Sequence, residues 1–257
     1  MVISHQTPAG DNLYVIIVAA GRGTRFGSNT PKQFLPLKGK PVVLHALEAF
    51  SAEFPNARII LVLSPDGGSE YWQEISQSYT GIKPYITEGG DSRTASVRNA
   101  LSAVKGLGAD SDSIVMIHDG ARPIINRTMI RALYRLLTEK EEVHAAVPCY
   151  LPSEALSEGM GDTLVPVSRS NYRLVQTPQT FDALMLIKAY DECHRSAGNA
   201  IYDDDAAVFH AFAPEDSNNI YNIEGDRNNI KITRPADIRI AEILMDQPLE
   251  YACNTSL

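Results

Sequence analysis

The sequence predicts an α/β fold built on a doubly wound, mostly parallel sheet. Strand-like apolar runs recur at 15–19, 59–63, 114–118 and 145–148, helix-like stretches separate them, and the first run empties into a glycine-rich loop. In sheets of this kind ligands bind beyond the carboxyl ends of the strands, where the strand order reverses.

The first run leads into Gly21, Arg22, Gly23, Thr24, Arg25 and Phe26, then into Pro31, Lys32, Gln33 and Phe34. Glycines let a backbone come close to a phosphate and aim its N–H groups at the oxygens, while Arg22, Arg25 and Lys32 supply positive charge. A phosphate-bearing ligand is expected there. Pro41 suits the first turn of a helix whose apolar face is Val42, Leu44, Leu47 and Phe50. Asp91 or Ser92 caps the next helix, which runs through Val97, Ala100, Leu101 and Val104; Asn126 caps another carrying Ile130, Leu133, Leu136 and Leu137.

Between 148 and 179 the helical period disappears and Pro152, Gly159, Gly161 and Pro166 punctuate short extended pieces, which predicts a β-hairpin excursion from the main sheet. A helix over about 181–195 follows. Lys231 falls on a short apolar strand ahead of a final helix over about 235–245. No internal repeat or low-complexity linker divides the chain, so residues 1–257 are expected to form one domain with an arm.

Composition narrows the function. The chain is 44% hydrophobic and 21% charged, near the globular average, and no segment approaches the length of a membrane span. The first dozen residues lack the apolar core of a secretory signal, so a cytoplasmic location is expected. Cys149, Cys193 and Cys253 are odd in number and far apart, which indicates free thiols and neither a disulfide framework nor a zinc site. A net charge of −8 argues against nucleic acid as a partner, while local Arg and Lys clusters favour a small anion.

Two common phosphate motifs fail. A dinucleotide fingerprint needs a third glycine where Phe26 stands, and a P-loop needs Gly-Lys-Ser/Thr after the first glycines. Asp119 ends the apolar run 114–118, where its carboxylate either holds Mg²⁺ against phosphates or caps the next turn with Arg122 as its ion-pair partner. His118 reads as a satisfied core histidine. Asp203, Asp204 and Asp205 cannot face one point on a helix, so capping accounts for at least one of them.

Taken together, Ala19 to Phe26, Pro31-Lys32-Gln33-Phe34-Leu35, Gly89-Gly90-Asp91-Ser92-Arg93, Ser96-Val97, His118 to Pro123, Gln176-Thr177-Pro178-Gln179 and Asn229 to Thr233 resemble the cytidylyltransferases that act on polyol phosphates. The best-known members are the 2-C-methyl-D-erythritol 4-phosphate cytidylyltransferases of non-mevalonate isoprenoid synthesis. The likeness runs in order from about residue 13 to 246. It implies a Rossmann-like nucleotidyltransferase fold that dimerises through the arm, here about 149–172. It also implies transfer of CMP from CTP to methylerythritol 4-phosphate, with ribitol 5-phosphate or another pentitol phosphate as the alternative acceptor.

The same resemblance implies roles. Ala19, Ala20, Gly21 and Gly23 lie on the loop that wraps the triphosphate; Gly90, Asp91 and Ser96 help recognise cytosine and ribose. Arg25, Lys32 and Lys231 surround the α-phosphate, and Asp119 holds Mg²⁺. Arg122, Arg169 and Thr177 hold the polyol phosphate, Arg169 reaching across from the partner's arm. Two segments depart from the pattern: Tyr150 to Glu154 stands where those enzymes usually carry Asp-Thr and a following Lys, and Tyr202-Asp203 replaces Thr-Asp.

Overall fold

The structure, a computed structural model, describes residues 10–21, 30–79, 81–159, 161–197, 202–215 and 217–246. Strand β1 (Leu13–Ala19) is buried at every position except Val18. It reads as a continuous apolar run because helices cover both faces of the sheet around it. Leu13, Val15 and Ile17 point into one core, Tyr14 and Ile16 into another.

A small hairpin of β2 (Pro36–Leu37) and β3 (Lys40–Pro41) turns at Lys38 and Gly39, both with positive φ. Helix α1 (Val42–Glu53) starts directly after Pro41, which supplies its N-cap. Strand β4 (Arg58–Leu63) pairs parallel with β1; α2 (Gly68–Ser78) leads to the edge strand β5 (Tyr85–Glu88), parallel to β4. Helix α3 (Arg93–Gly106) then carries the chain back to β6 (Ile114–Asp119), which pairs parallel with β1 on its other side. The order therefore reverses at β1.

Helix α4 (Arg127–Glu139), capped by Asn126, leads to β7 (Ala145–Tyr150). The arm follows as an antiparallel hairpin of β8 (Leu156–Glu158) and β9 (Val165–Val167). Its return strand β10 (Leu174–Val175) pairs with Tyr150 and Cys149, so those two residues belong to the main sheet and the arm leaves beyond them. Strand β11 (Gln179–Asp182) inserts antiparallel between β6 and β7. Helices α5 (Ala183–Ala197) and α6 (Asp205–Phe212), strand β12 (Tyr221–Glu224) and α7 (Ala236–Asp246) complete the chain. The main sheet has 8 strands in the order β10-β7-β11-β6-β1-β4-β5, with β12 on β7.

Two sequence expectations need correction, and one strand was missed. The helix expected from about 181 begins at Ala183, because Phe181 pairs with Val115 on one side and Ala145 on the other, and that double pairing holds it extended. The segment around Lys231 is no strand; it is an extended loop held by the Ile232 N–H, which donates to the Ala121 carbonyl at 2.8 Å. Strand β5 escaped detection because its half-exposed edge position needs no apolar run. Cys149 and Cys193 are buried free thiols, while Cys253 lies outside the described residues. No helix among the described residues is long and apolar enough to cross a membrane.

Candidate active site

At the carboxyl ends of β1 and β6 the reversal of strand order opens a crevice of about 540 Å³. Ala19, Ala20, Gly21, Lys32, Gly90, Asp91, Ser96, Asp119 and Lys231, all singled out in the sequence, line it. Gly23 and Arg25 lie outside the described residues.

Its nucleotide-facing wall depends on close backbone approach. A Cβ on Gly89 would sit 2.5 Å from the Ala20 Cβ, and one on Gly90 2.6 Å from the Ala95 Cβ. The Gly90 N–H donates to the Ser96 hydroxyl at 3.0 Å, and that hydroxyl donates to the Ser92 carbonyl at 2.8 Å. Ser96 thus shapes the loop from beneath. Ser92 caps α3 by accepting from the Ala95 N–H at 3.0 Å, so the positive end of the helix dipole faces the same opening. On the opposite lip, buried Gln33 donates to the carbonyls of Ala19 at 2.5 Å and Gly21 at 3.2 Å, fixing the exit of β1. Lys32 donates to the Ile232 carbonyl at 2.7 Å, joining this lip to the Lys231 loop.

Asp119 is the electrostatic centre. Lys231 Nζ lies 2.8 Å and Arg122 Nε 3.5 Å from its Oδ2, and Arg93 Nε lies 3.7 Å from Oδ1. Burial by itself would favour the neutral acid, but Lys231, Arg93 and Arg122 outweigh it and hold the carboxyl well below the usual carboxylate range. Asp119 is therefore ionised at any pH where the protein works. Burial pushes the Arg122 pKa down; for Arg93, burial is outweighed by Asp205 and then Asp119, and the pKa rises. The ion pair expected between Asp119 and Arg122 is present at 3.5 Å, and the Arg122 N–H closes the turn on the Asp119 backbone carbonyl at 2.9 Å.

Behind Asp119 lies a fully buried relay. The Asp119 N–H donates to Thr177 Oγ1 at 3.1 Å, the Thr177 hydroxyl faces His118 Nδ1 at 3.1 Å, and His118 Nε2 is 3.0 Å from the Arg122 carbonyl. A carbonyl only accepts, so Nε2 carries the proton and Nδ1 accepts from Thr177. Burial drives the His118 pKa down to about 4, which keeps the ring neutral. His118 is a core histidine, as expected.

Thr177, expected at the polyol phosphate, stands in this relay next to Asp119. The residue is 5% exposed, and its hydroxyl accepts from the Asp119 N–H and donates to His118. Arg122 sits beside the crevice and not in its lining; Nη1 donates to the Asn229 carbonyl at 2.6 Å. Asn229 in turn donates to the Thr177 carbonyl at 2.8 Å, and Gln176 donates to the Asp226 carbonyl at 2.7 Å, which docks the Lys231 loop against the segment between β10 and β11. Arg169 lies elsewhere, exposed on the arm, donating to the Ser153 carbonyl.

Sequence reading missed Arg93 and Asp205 as site residues. Of the three consecutive aspartates, Asp204 caps α6 by accepting from the Ala207 N–H at 2.9 Å, while Asp205 is wholly buried against Arg93. The available signal was an acid beside Ala206, Val208 and Phe209, a group whose apolar members are core residues. Tyr202 packs edge-on against Phe212 with ring centroids 5.7 Å apart, and Ser153 bonds its neighbour Glu154 at 2.8 Å.

A model of the IspD family, 2-C-methyl-D-erythritol 4-phosphate cytidylyltransferase, matches residues 13–247. The chain is 38% identical over 235 residues to the protein of that name from Phocaeicola vulgatus, covering 91% of this chain and 100% of the relative. Identity to the one from Cereibacter sphaeroides strain KD131 is 39% over 235 residues, covering 90% and 95%. Among solved structures, the 2-C-methyl-D-erythritol 4-phosphate cytidylyltransferase of Francisella tularensis superposes with a TM-score of 0.72 at 28% identity, covering 91% of this chain and 99% of that one. The Thermus thermophilus enzyme gives 0.67 at 28% identity, covering 90% and 97%.

Proposed function

The chain belongs to the 2-C-methyl-D-erythritol 4-phosphate cytidylyltransferase family, and from that premise we propose that it transfers CMP from CTP to 2-C-methyl-D-erythritol 4-phosphate with release of pyrophosphate. The observation that carries the reading is an ionised Asp119 surrounded by Lys231, Arg93 and Arg122 at the mouth of the switch-point crevice.

An oxygen of the acceptor phosphate attacks the α-phosphorus of CTP; the new P–O bond forms as the bond to the bridging oxygen breaks, and pyrophosphate leaves. Two anions must be brought together and charge grows on the equatorial oxygens, so positioning and cationic stabilisation do most of the catalysis. Lys231 and Lys32, on segments joined at the Ile232 carbonyl, serve that purpose, and the family resemblance adds Arg25 as a third cation. The loop 89–92 takes the nucleoside end, its backbone set by Ser96 and by the α3 N-terminus. No protein nucleophile is required. The acceptor phosphate is already ionised near neutral pH, and neutral His118, with its proton committed to the Arg122 carbonyl, is not a base.

Asp119 fits a Mg²⁺ site, being an ionised hard oxygen donor at the crevice, with water and phosphate oxygens available for the remaining positions. When bound, the ion supplies positive charge against the phosphates. We also assign the arm to a homodimer: Leu164 is 63% and Val165 66% exposed on a two-stranded hairpin that stands off the main sheet. Arg169 on that arm would then serve the partner's acceptor pocket.

The test is pyrophosphate release with CTP, Mg²⁺ and a panel of sugar and polyol phosphates. Turnover is expected with methylerythritol 4-phosphate. No turnover with any acceptor removes the activity, and turnover confined to a pentitol phosphate changes the acceptor.

A further inference from the structure

Asp205 has no task in the reaction just described, yet it is among the most constrained groups near the crevice. Its side chain is wholly buried among core residues, where a carboxylate needs partners. Arg93 provides two, Nη1 donating to Oδ1 at 2.8 Å and Nη2 to Oδ2 at 2.6 Å, and the Tyr190 hydroxyl donates to Oδ1 at 2.5 Å.

The backbone that carries this carboxylate is held independently of Arg93. Gln179 Oε1 accepts from the N–H groups of Asp205 and Ala206 at 3.0 and 2.9 Å, and Gln179 Nε2 donates to Asp204 at 2.9 Å. The start of α6 is thereby pinned to β11. Arg93, the first residue of α3, lines the crevice, and a guanidinium in such a wall would ordinarily turn its fork onto a phosphate. Here both fork nitrogens are committed to Asp205, and only Nε faces the crevice carboxylate, 3.7 Å from Asp119 Oδ1.

We infer that Asp205 is a positioning residue that clamps the Arg93 guanidinium and offsets its charge, withholding the Arg93 fork from the phosphates. The inference rests on the cytidylyl-transfer reading of the same crevice. Without the clamp, the crevice gains a free positive fork: pyrophosphate binds more tightly, leaves more slowly, and the transition state loses its fitted arrangement of charge.

Asp205→Asn keeps the shape and removes the charge. Calorimetric titration of inorganic pyrophosphate is expected to show binding about tenfold tighter than in the parent, while kcat falls about tenfold without a rise in KM for CTP. A merely structural defect lowers the melting temperature and the active fraction and leaves pyrophosphate affinity unimproved. Parental pyrophosphate affinity and kcat in a folded Asp205→Asn protein would overturn the inference, as would weaker pyrophosphate binding.

The double variant Arg93→Gln, Asp205→Asn removes both charges and keeps an amide pair. It is expected to bind pyrophosphate within about threefold of the parent. A loss of about tenfold or more would make Arg93 a direct phosphate ligand and sink the idea, and this result decides even if the single variant fails to fold. A parent that binds pyrophosphate but turns over no CTP removes the activity and leaves this comparison intact; a parent that does neither removes both.

Discussion

Lys231 Nζ lies 2.8 Å from Asp119 Oδ2, although one residue ends a central strand and the other sits on a loop just before the last helix. The pair places a half-exposed cation next to a fixed carboxylate at the point where the α-phosphate is proposed to react. Replacing Lys231 or Lys32 with Ala is expected to lower kcat by about 10²–10³. Steady-state rates near the parental value in folded variants would remove these side chains from the mechanism.

Chelation supplies a second expectation. Removing divalent cations with EDTA should abolish pyrophosphate release, and Mg²⁺ should restore it. Asp119→Asn should raise the Mg²⁺ concentration for half-maximal turnover about tenfold or more. A Mg²⁺ titration identical to the parent's would take Asp119 out of metal binding.

The neutral, buried His118 makes stability depend on pH. Its pKa is lowered from 6.5 to about 4 in the folded protein, so between those values the unfolded chain binds more protons. That contribution is therefore fully present above about pH 6.5 and is lost as pH falls towards 4, amounting to about 3 kcal/mol over the window. Urea unfolding across this range should show the slope in the parent and a shallower one in His118→Gln. Equal slopes in both proteins would refute the assignment.

Gly89 is a packing requirement. An added Cβ would lie 2.5 Å from the Ala20 Cβ and 3.0 Å from the Ser96 hydroxyl, so Gly89→Ala must push the loop 89–92 away from the end of β1. A displacement of this kind typically costs about 1–3 kcal/mol, which should weaken CTP binding about tenfold in a protein that remains folded. Unchanged calorimetric affinity would show that the loop does not shape the nucleotide site.

Sedimentation tests the arm. A dimer at micromolar concentration is expected, and Val165→Glu, at a position 66% exposed in the single chain, should shift it to monomer and lower turnover. A monomeric parent would end both the shared site and the role given to Arg169.

The legible part of the fold was the part under local control. Apolar runs marked β1, β4, β6 and β7 because strands buried on both faces leave little room for polar residues, and Ser92 and Asn126 marked helix starts because their side chains accept from their own helices. Strands β5 and β11 were not legible. One is a half-exposed edge, and the other owes its conformation to pairing with β6 and β7, each distant in sequence.

The site divides in the same way. Sequence alone determined the α/β class and the family resemblance and, through that resemblance, the crevice residues Ala19, Lys32, Gly90, Asp119 and Lys231, because the motifs that carry them follow one another in the family's order. Only the tertiary structure decided that the Thr177 hydroxyl bonds both Asp119 and His118, that His118 is held neutral, and that one aspartate of three pairs with Arg93. Those roles depend on burial and on which groups meet across the sheet; a side chain's charge state and free hydrogen-bonding capacity are set by neighbours that folding brings together.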